Sequence, residues 1–337
     1  MKIFERTHVG RRITVGMPTT VSQVSAALRF ASIARLLCAA LLILAGCDRS
    51  PAPSSGGAAS GTQPLKVLAT TSMIADAVRS IGGPRVEVDT LMGPGVDPHL
   101  YQPTARDPLR LRGADLVLHH GLFLEGRLGE ALVAAGGKTR VVAVSKDIAP
   151  DRLLKHGAGE HAVDPHVWLD AMLWRDCVRV VGQALAEADP AHAAAHRTAT
   201  DAVLESMAKL DAECRATLAK IPKERRVLVT SHDAFGYFGR AYDVEVVGIQ
   251  GLSTETEAGL KRITDTVDLI RERGIRGVFP ETSVPKAAIE RVSRDSGAKL
   301  GEELYSDSLA APDESAGTYA GMMRENVRRI VAGLGGD

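Results

Sequence analysis

From Lys66 onward the chain alternates short apolar, β-branched runs with longer segments whose apolar positions recur every three or four residues. The first kind predicts strands and the second predicts helices. Strands are expected at 66–70, 86–92, 114–119 and 140–144. Helices are expected at 72–81, 103–112 (starting after Thr104) and 128–135. Strand followed by helix, repeated, implies a parallel sheet with both faces covered and right-handed crossovers. A long helical pattern occupies 168–188 and breaks at Asp189-Pro190, a helix-start signal with Pro at the first helical position. No Gly or Pro follows until Pro222, which predicts a helix on the order of 45 Å at 1.5 Å per residue. The alternation then resumes. Strands are expected at 226–230, 244–249, 277–280 and 299–303, and helices at 233–242, 260–273, 285–296 and 317–333.

The pattern predicts an α/β protein of two lobes. Each has a parallel four-stranded sheet flanked by helices, and one long rigid α-helix joins them, with a ligand cleft between. The expected boundaries are residues 65–188 for the first lobe, 189–222 for the connecting helix and 223–337 for the second lobe. The chain has 337 residues, enough for two such cores.

The segment before residue 65 reads as an address. Arg29 and Arg35 precede a short apolar run, 36–45, that ends in Leu44-Ala45-Gly46-Cys47. These residues resemble a bacterial lipobox. The resemblance implies a signal peptide over 1–46 and a lipidated Cys47 at the head of a Ser/Gly/Pro-rich tether, 47–64. A plain secretory signal is the alternative, and Met17 competes with Met1 as the start. Cys38 departs with the leader, which leaves Cys177 and Cys214; both fall in helical patterns and are read as buried and inert, with pairing in an exported protein as the alternative.

Composition narrows the function. Lys plus Arg and Asp plus Glu both number 41, so no basic excess points to nucleic acid. Aromatic residues are 4%, too few for a stacking platform. No phosphate-binding Gly-rich loop with Lys-Ser/Thr and no Gly-x-Ser-x-Gly elbow is present, so nucleotide hydrolysis and serine chemistry lack support.

What remains is metal chemistry. His99 lies in a stiff Gly/Pro loop, 93–98, and shares an Asp-Pro-His tripeptide with His166. His232 follows the strand at 226–230, and Asp307 follows the one at 299–303. Three imidazoles and a carboxylate suit a four-coordinate transition-metal site. Asp97 and Asp164 are expected to accept the second ring N–H of the neighbouring imidazoles, and Glu281 is a further supporting candidate. His119-His120 reads as a chain turn, His156 and His161 as weak metal recruiters in a mobile segment, and His192 with His196 as a solvated helix face. A zinc hydrolase with Glu281 as base is the rival from another class, although four protein donors leave no open position for water.

Five stretches, 97–104, 164–170, 231–242, 248–259 and 305–309, resemble the metal-specific solute-binding lipoproteins of bacterial ABC importers. The resemblance runs from about residue 65 to 334. It implies His99, His166, His232 and Asp307 as ligands of zinc or manganese carried as cargo. It also implies an ABC permease and its ATPase as partners, a monomeric, lipid-anchored carrier on the extracytoplasmic face of the membrane, and no catalysis. Some members of that family are labelled adhesins. Zinc-uptake members often carry a long His- and acid-rich loop that is short here. Many manganese members have Glu where this chain has His232, so the chain resembles the Tro-type subgroup.

Overall fold

In the computed structural model, residues 63–126, 128, 132, 139–156 and 163–335 are described. The address segment with Cys47, most of the helix expected at 128–135, and His161 lie outside them.

The period-2 alternation of the short runs is a division of labour between two sheet faces. Strand β1 (Leu65–Ala69) sends Val67 and Ala69 into one apolar cluster and Leu68 into another. β3 (Leu116–His119) does the same, with Leu116 and Leu118 on one side and Val117 on the other. With β2 (Val86–Thr90) and β4 (Arg140–Ala143) they form a parallel sheet in the order β2-β1-β3-β4. Burial on both faces is why these strands are so apolar. Helix α1 (Ser72–Gly82) covers the inner face with Met73, Ile74, Val78 and Ile81, and α2 (Asp107–Gly113) adds Leu111 to the outer cluster.

Next come α3 (Ala171–Ala188) and α4 (Ala193–Leu218). Asp170 caps α3 by accepting the N–H groups of Met172 and Leu173. At 26 residues α4 is about 39 Å long, shorter than expected because residues 190–192 form a separate 3-10 turn. The helix buries His196, Thr200, Leu204, Met207, Leu210, Cys214 and Leu218, one residue per turn. Gly182 lets α3 and α4 meet closely: a Cβ there would fall 2.0 Å from Thr200 Oγ1.

The second sheet repeats the first. β5 (Val227–Thr230), β6 (Glu245–Gly248), β7 (Gly277–Phe279) and β8 (Lys299–Leu300) are parallel in the order β6-β5-β7-β8. β8 is shorter than expected, and a single bridge from Glu281 to Leu304 takes over its pairing. Helices α5 (Gly236–Tyr242), α6 (Leu260–Arg273), α7 (Ala287–Ser296) and α8 (Tyr319–Leu334) complete it.

Helix α4 packs against α1, α3 and α8. One continuous apolar core therefore runs through both halves, from Val67 and Trp168 to Phe238, Phe279 and Met323. Cys177 and Cys214 lie within it as free thiols, and burial pushes both thiols up.

Candidate metal centre

In open parallel sheets the crevice lies beyond the strands' carboxyl ends, where the strand order reverses. Each sheet here has one such point, between β1 and β3 and between β5 and β7. His232 stands two residues past β5 and Glu281 two residues past β7, on either side of the second crevice. The loop after β2 supplies His99, the turn before α3 supplies His166, and the chain beyond β8 supplies Asp307.

The four sequence candidates converge. One donor atom from each of His99, His166, His232 and Asp307 lies within 4.8 Å of every other. His166 Nε2 is 3.2 Å from His99 Nε2 and 3.4 Å from His232 Nε2. The carboxylate of Asp307 comes to 3.5 Å from His166 Nε2 and 3.6 Å from His232 Nε2. Donors held about 2.1 Å from a tetrahedral zinc are separated by roughly 3.4 Å, so the spacing fits such an ion. Asp307 Oδ1 is buried with no hydrogen-bond partner, whereas Ser283 and Ser306 donate to Oδ2 at 2.8 and 3.0 Å. A buried carboxylate oxygen left open among three imidazole nitrogens suits a cation.

The surroundings aim the rings. Asp164 Oδ1 accepts both the backbone N–H and the Nδ1–H of His166, at 2.9 and 2.7 Å, which turns Nε2 inward. Glu281 accepts the backbone N–H of His232 at 2.8 Å, and its other oxygen lies 2.5 Å from His232 Nδ1. That close contact lacks the alignment of a good hydrogen bond and acts mainly through charge. Asp97 departs from expectation. Its Oδ1 accepts the backbone N–H of His99 at 2.9 Å, and its Oδ2 accepts the Thr254 hydroxyl at 2.5 Å. The Pro-rich loop turns that carboxylate to the main chain and the facing loop rather than to the imidazole.

Burial lowers His99, with Asp307 opposing, and lowers His166 well below the usual histidine range. Burial would also lower His232, but Glu281 and Asp307 outweigh it and push it up to about 10. Asp307 is held at about 2, because the three imidazoles overcome the cost of burying it. These shifts favour a charged pair of His232 and Asp307.

The other histidines settle elsewhere. His120 is a core residue: Nε2 donates to the Pro165 carbonyl at 2.8 Å, and the ring lies edge-on to Trp168. His196 is buried rather than solvated, and Asp189 pairs with both His192 and His196, since the break at Asp189-Pro190 folds that carboxylate back over the first turn of α4. His156 stands 3.8 Å from Asp233.

Two features escaped sequence reasoning. Buried Glu125 accepts the Thr70 hydroxyl at 2.7 Å and the backbone N–H groups of His120 and Gly121, filling the first crevice. Trp168 donates its indole N–H to the Ser306 carbonyl at 2.6 Å, and Tyr319 donates to the Trp168 carbonyl at 2.8 Å. Scarcity was the one available signal: the chain has two tryptophans, and Trp168 lies two residues from His166.

Comparison with known proteins agrees with this architecture. The family described as "ZnuA: Zinc-uptake complex component A periplasmic" matches residues 67–333. "Manganese-binding lipoprotein MntA" of Bacillus subtilis is 41% identical over 88% of this chain and 96% of its own length. "Zinc-binding protein TroA" of Treponema pallidum is 41% identical over 83% of this chain and 92% of its own. The solved periplasmic zinc-binding TroA structure covers 81% of this chain and 99% of its own, at 41% identity with a TM-score of 0.78.

Proposed function

This chain belongs to the periplasmic zinc-uptake component A family of metal-binding proteins, and from that premise we propose that it captures one divalent ion in the second crevice. It is an extracytoplasmic substrate-binding component of an ABC-type metal importer, and a divalent transition metal is its cargo. Its ligands are His99, His166, His232 and Asp307, with Asp164 and Glu281 aiming two of the imidazoles and Asp97 setting the backbone of His99. The observation that carries the assignment is the convergence of these four donors, all within 4.8 Å of one another.

A lipid on Cys47 would tether the carrier, acting as a monomer, beside the permease and ATPase that receive the ion. The relatives' names divide among manganese, zinc and iron. For three imidazoles and one carboxylate, intrinsic affinity favours zinc over manganese, and cellular availability then decides the cargo. Four protein donors also close the coordination sphere against a reactive water, which favours carriage over hydrolysis.

Elemental analysis of protein purified without added metal should find about one zinc or manganese per chain. Stripping the metal and restoring it at about a thousand times Kd should add roughly 4 kcal/mol of stability. For a chain of this size that raises Tm by roughly 10 °C. A Tm indifferent to both ions would refute the assignment.

Metal entry must also displace the proton from His232, which is held at about 10. Affinity should therefore fall as pH falls, by about tenfold per unit between pH 8 and 6. Calorimetry in buffers of different ionisation enthalpy should register about one proton released per ion. Affinity that stays flat across this range would contradict the His232–Asp307 pair.

A further inference from the structure

We infer that residues 252–255 form a strap across the mouth of the metal centre, latched by the hydroxyl of Thr254 on Asp97. The inference rests on the metal-carrier reading above. His99 is the one candidate ligand that is not fully buried. It lines a cleft of about 300 Å³ with Phe123, Val163, Leu252, Ser253 and Glu255. This opening gives solvent a way to one of the four candidate donors.

The strap has an unusual burial pattern. Ser253 and Glu255 are exposed, yet the polar Thr254 between them is buried. Its hydroxyl accounts for that, donating to Asp97 Oδ2 at 2.5 Å. The other oxygen of the same carboxylate accepts the backbone N–H of His99. One carboxylate thus joins the strap of the second lobe to the main chain of a ligand in the first.

One core joins both lobes, and the inferred opening is local to this segment. Thr254 touches none of the four donors, and its hydroxyl acts on how often the mouth opens rather than on coordination. It is a positioning residue. Because the latch bonds a carboxylate outside the donor set, it slows entry and exit alike and leaves their ratio unchanged.

The test loads the full chain with zinc and follows its release into excess chelator by stopped flow, with Kd measured in parallel. Thr254→Val should release zinc about tenfold faster, the scale of one hydrogen bond to a charged acceptor. Thr254→Ser should restore the wild-type rate, and all three proteins should share a Kd within about threefold. Release from Thr254→Val at the wild-type rate overturns the latch. So does a Thr254→Ser variant as fast as Thr254→Val, or a loss of affinity without faster exchange. Wild-type protein that binds neither zinc nor manganese overturns the carrier reading itself, and the latch with it.

Discussion

Replacing Asp307 with alanine should lower metal affinity by at least about a hundredfold. A four-donor zinc site is worth ~10–16 kcal/mol, so even a quarter of it is about 3 kcal/mol, and each 1.4 kcal/mol is tenfold. Asp307 supplies more than a quarter in kind. It is the anionic donor among three imidazoles, and it is buried, so its charge acts with little screening by water. Its removal also takes away one of the two carboxylates that hold the His232 proton. The variant should therefore lose much of the metal-dependent rise in Tm, and part of the pH dependence of binding, while Glu281 keeps the rest. Competition against a chelator of known affinity reads the first effect, and buffer-dependent calorimetry reads the second. An affinity within threefold of the parent would remove Asp307 from the ligand set.

Trp168→Ala should destabilise the metal-free protein by about 3–5 kcal/mol, the usual range for truncating a buried tryptophan. Trp168 is fully buried in the shared core, edge-on to both His120 and His166. Its indole N–H also holds the Ser306 carbonyl, next to Asp307. The cavity would thus open between two ligand-bearing segments that are 138 residues apart in sequence. Trp168→Phe keeps most of the apolar contact and loses the N–H. It should cost about 1–3 kcal/mol, the penalty for stranding a buried carbonyl. Urea denaturation of metal-stripped protein separates the two variants. A loss below about 1 kcal/mol in the alanine variant would mean that this tryptophan ties nothing together.

The architecture was legible because burial on both sheet faces writes long apolar runs and turn residues directly into the sequence. The four candidate donors were legible for a related reason: His232 stands just past a strand, Asp307 follows the bridge at Leu304, and His99 and His166 share an Asp-Pro-His turn. The roles of their neighbours depended on tertiary pairing. Asp164 reaches its imidazole within one turn, which local sequence foreshadows. Asp97 sits in the same tripeptide, yet its second oxygen is engaged by Thr254, 157 residues away, and no periodicity marks such a pair. His196 looked solvated because its helix carries polar residues around most of its surface. The break at Asp189-Pro190, read only as a helix start, brings a carboxylate back over that histidine. β8 shrank to two residues because, after Gly301 bonds the Val278 carbonyl, the chain pairs again only at Leu304.

The two sheets share one strand order and use their crevices differently. Both crevices have a buried glutamate that takes the N–H of the first or second residue beyond a central strand: Glu125 for His120, Glu281 for His232. In the first crevice the imidazole's inward nitrogen is spent on the Pro165 carbonyl, and Glu125 is saturated by Thr70 and the main chain. In the second, the equivalent nitrogen faces three other donors. Among the described residues, the first crevice is filled by the protein's own groups and the second gathers the candidate donors. Import capacity through such a carrier therefore rises only with the number of chains at the membrane.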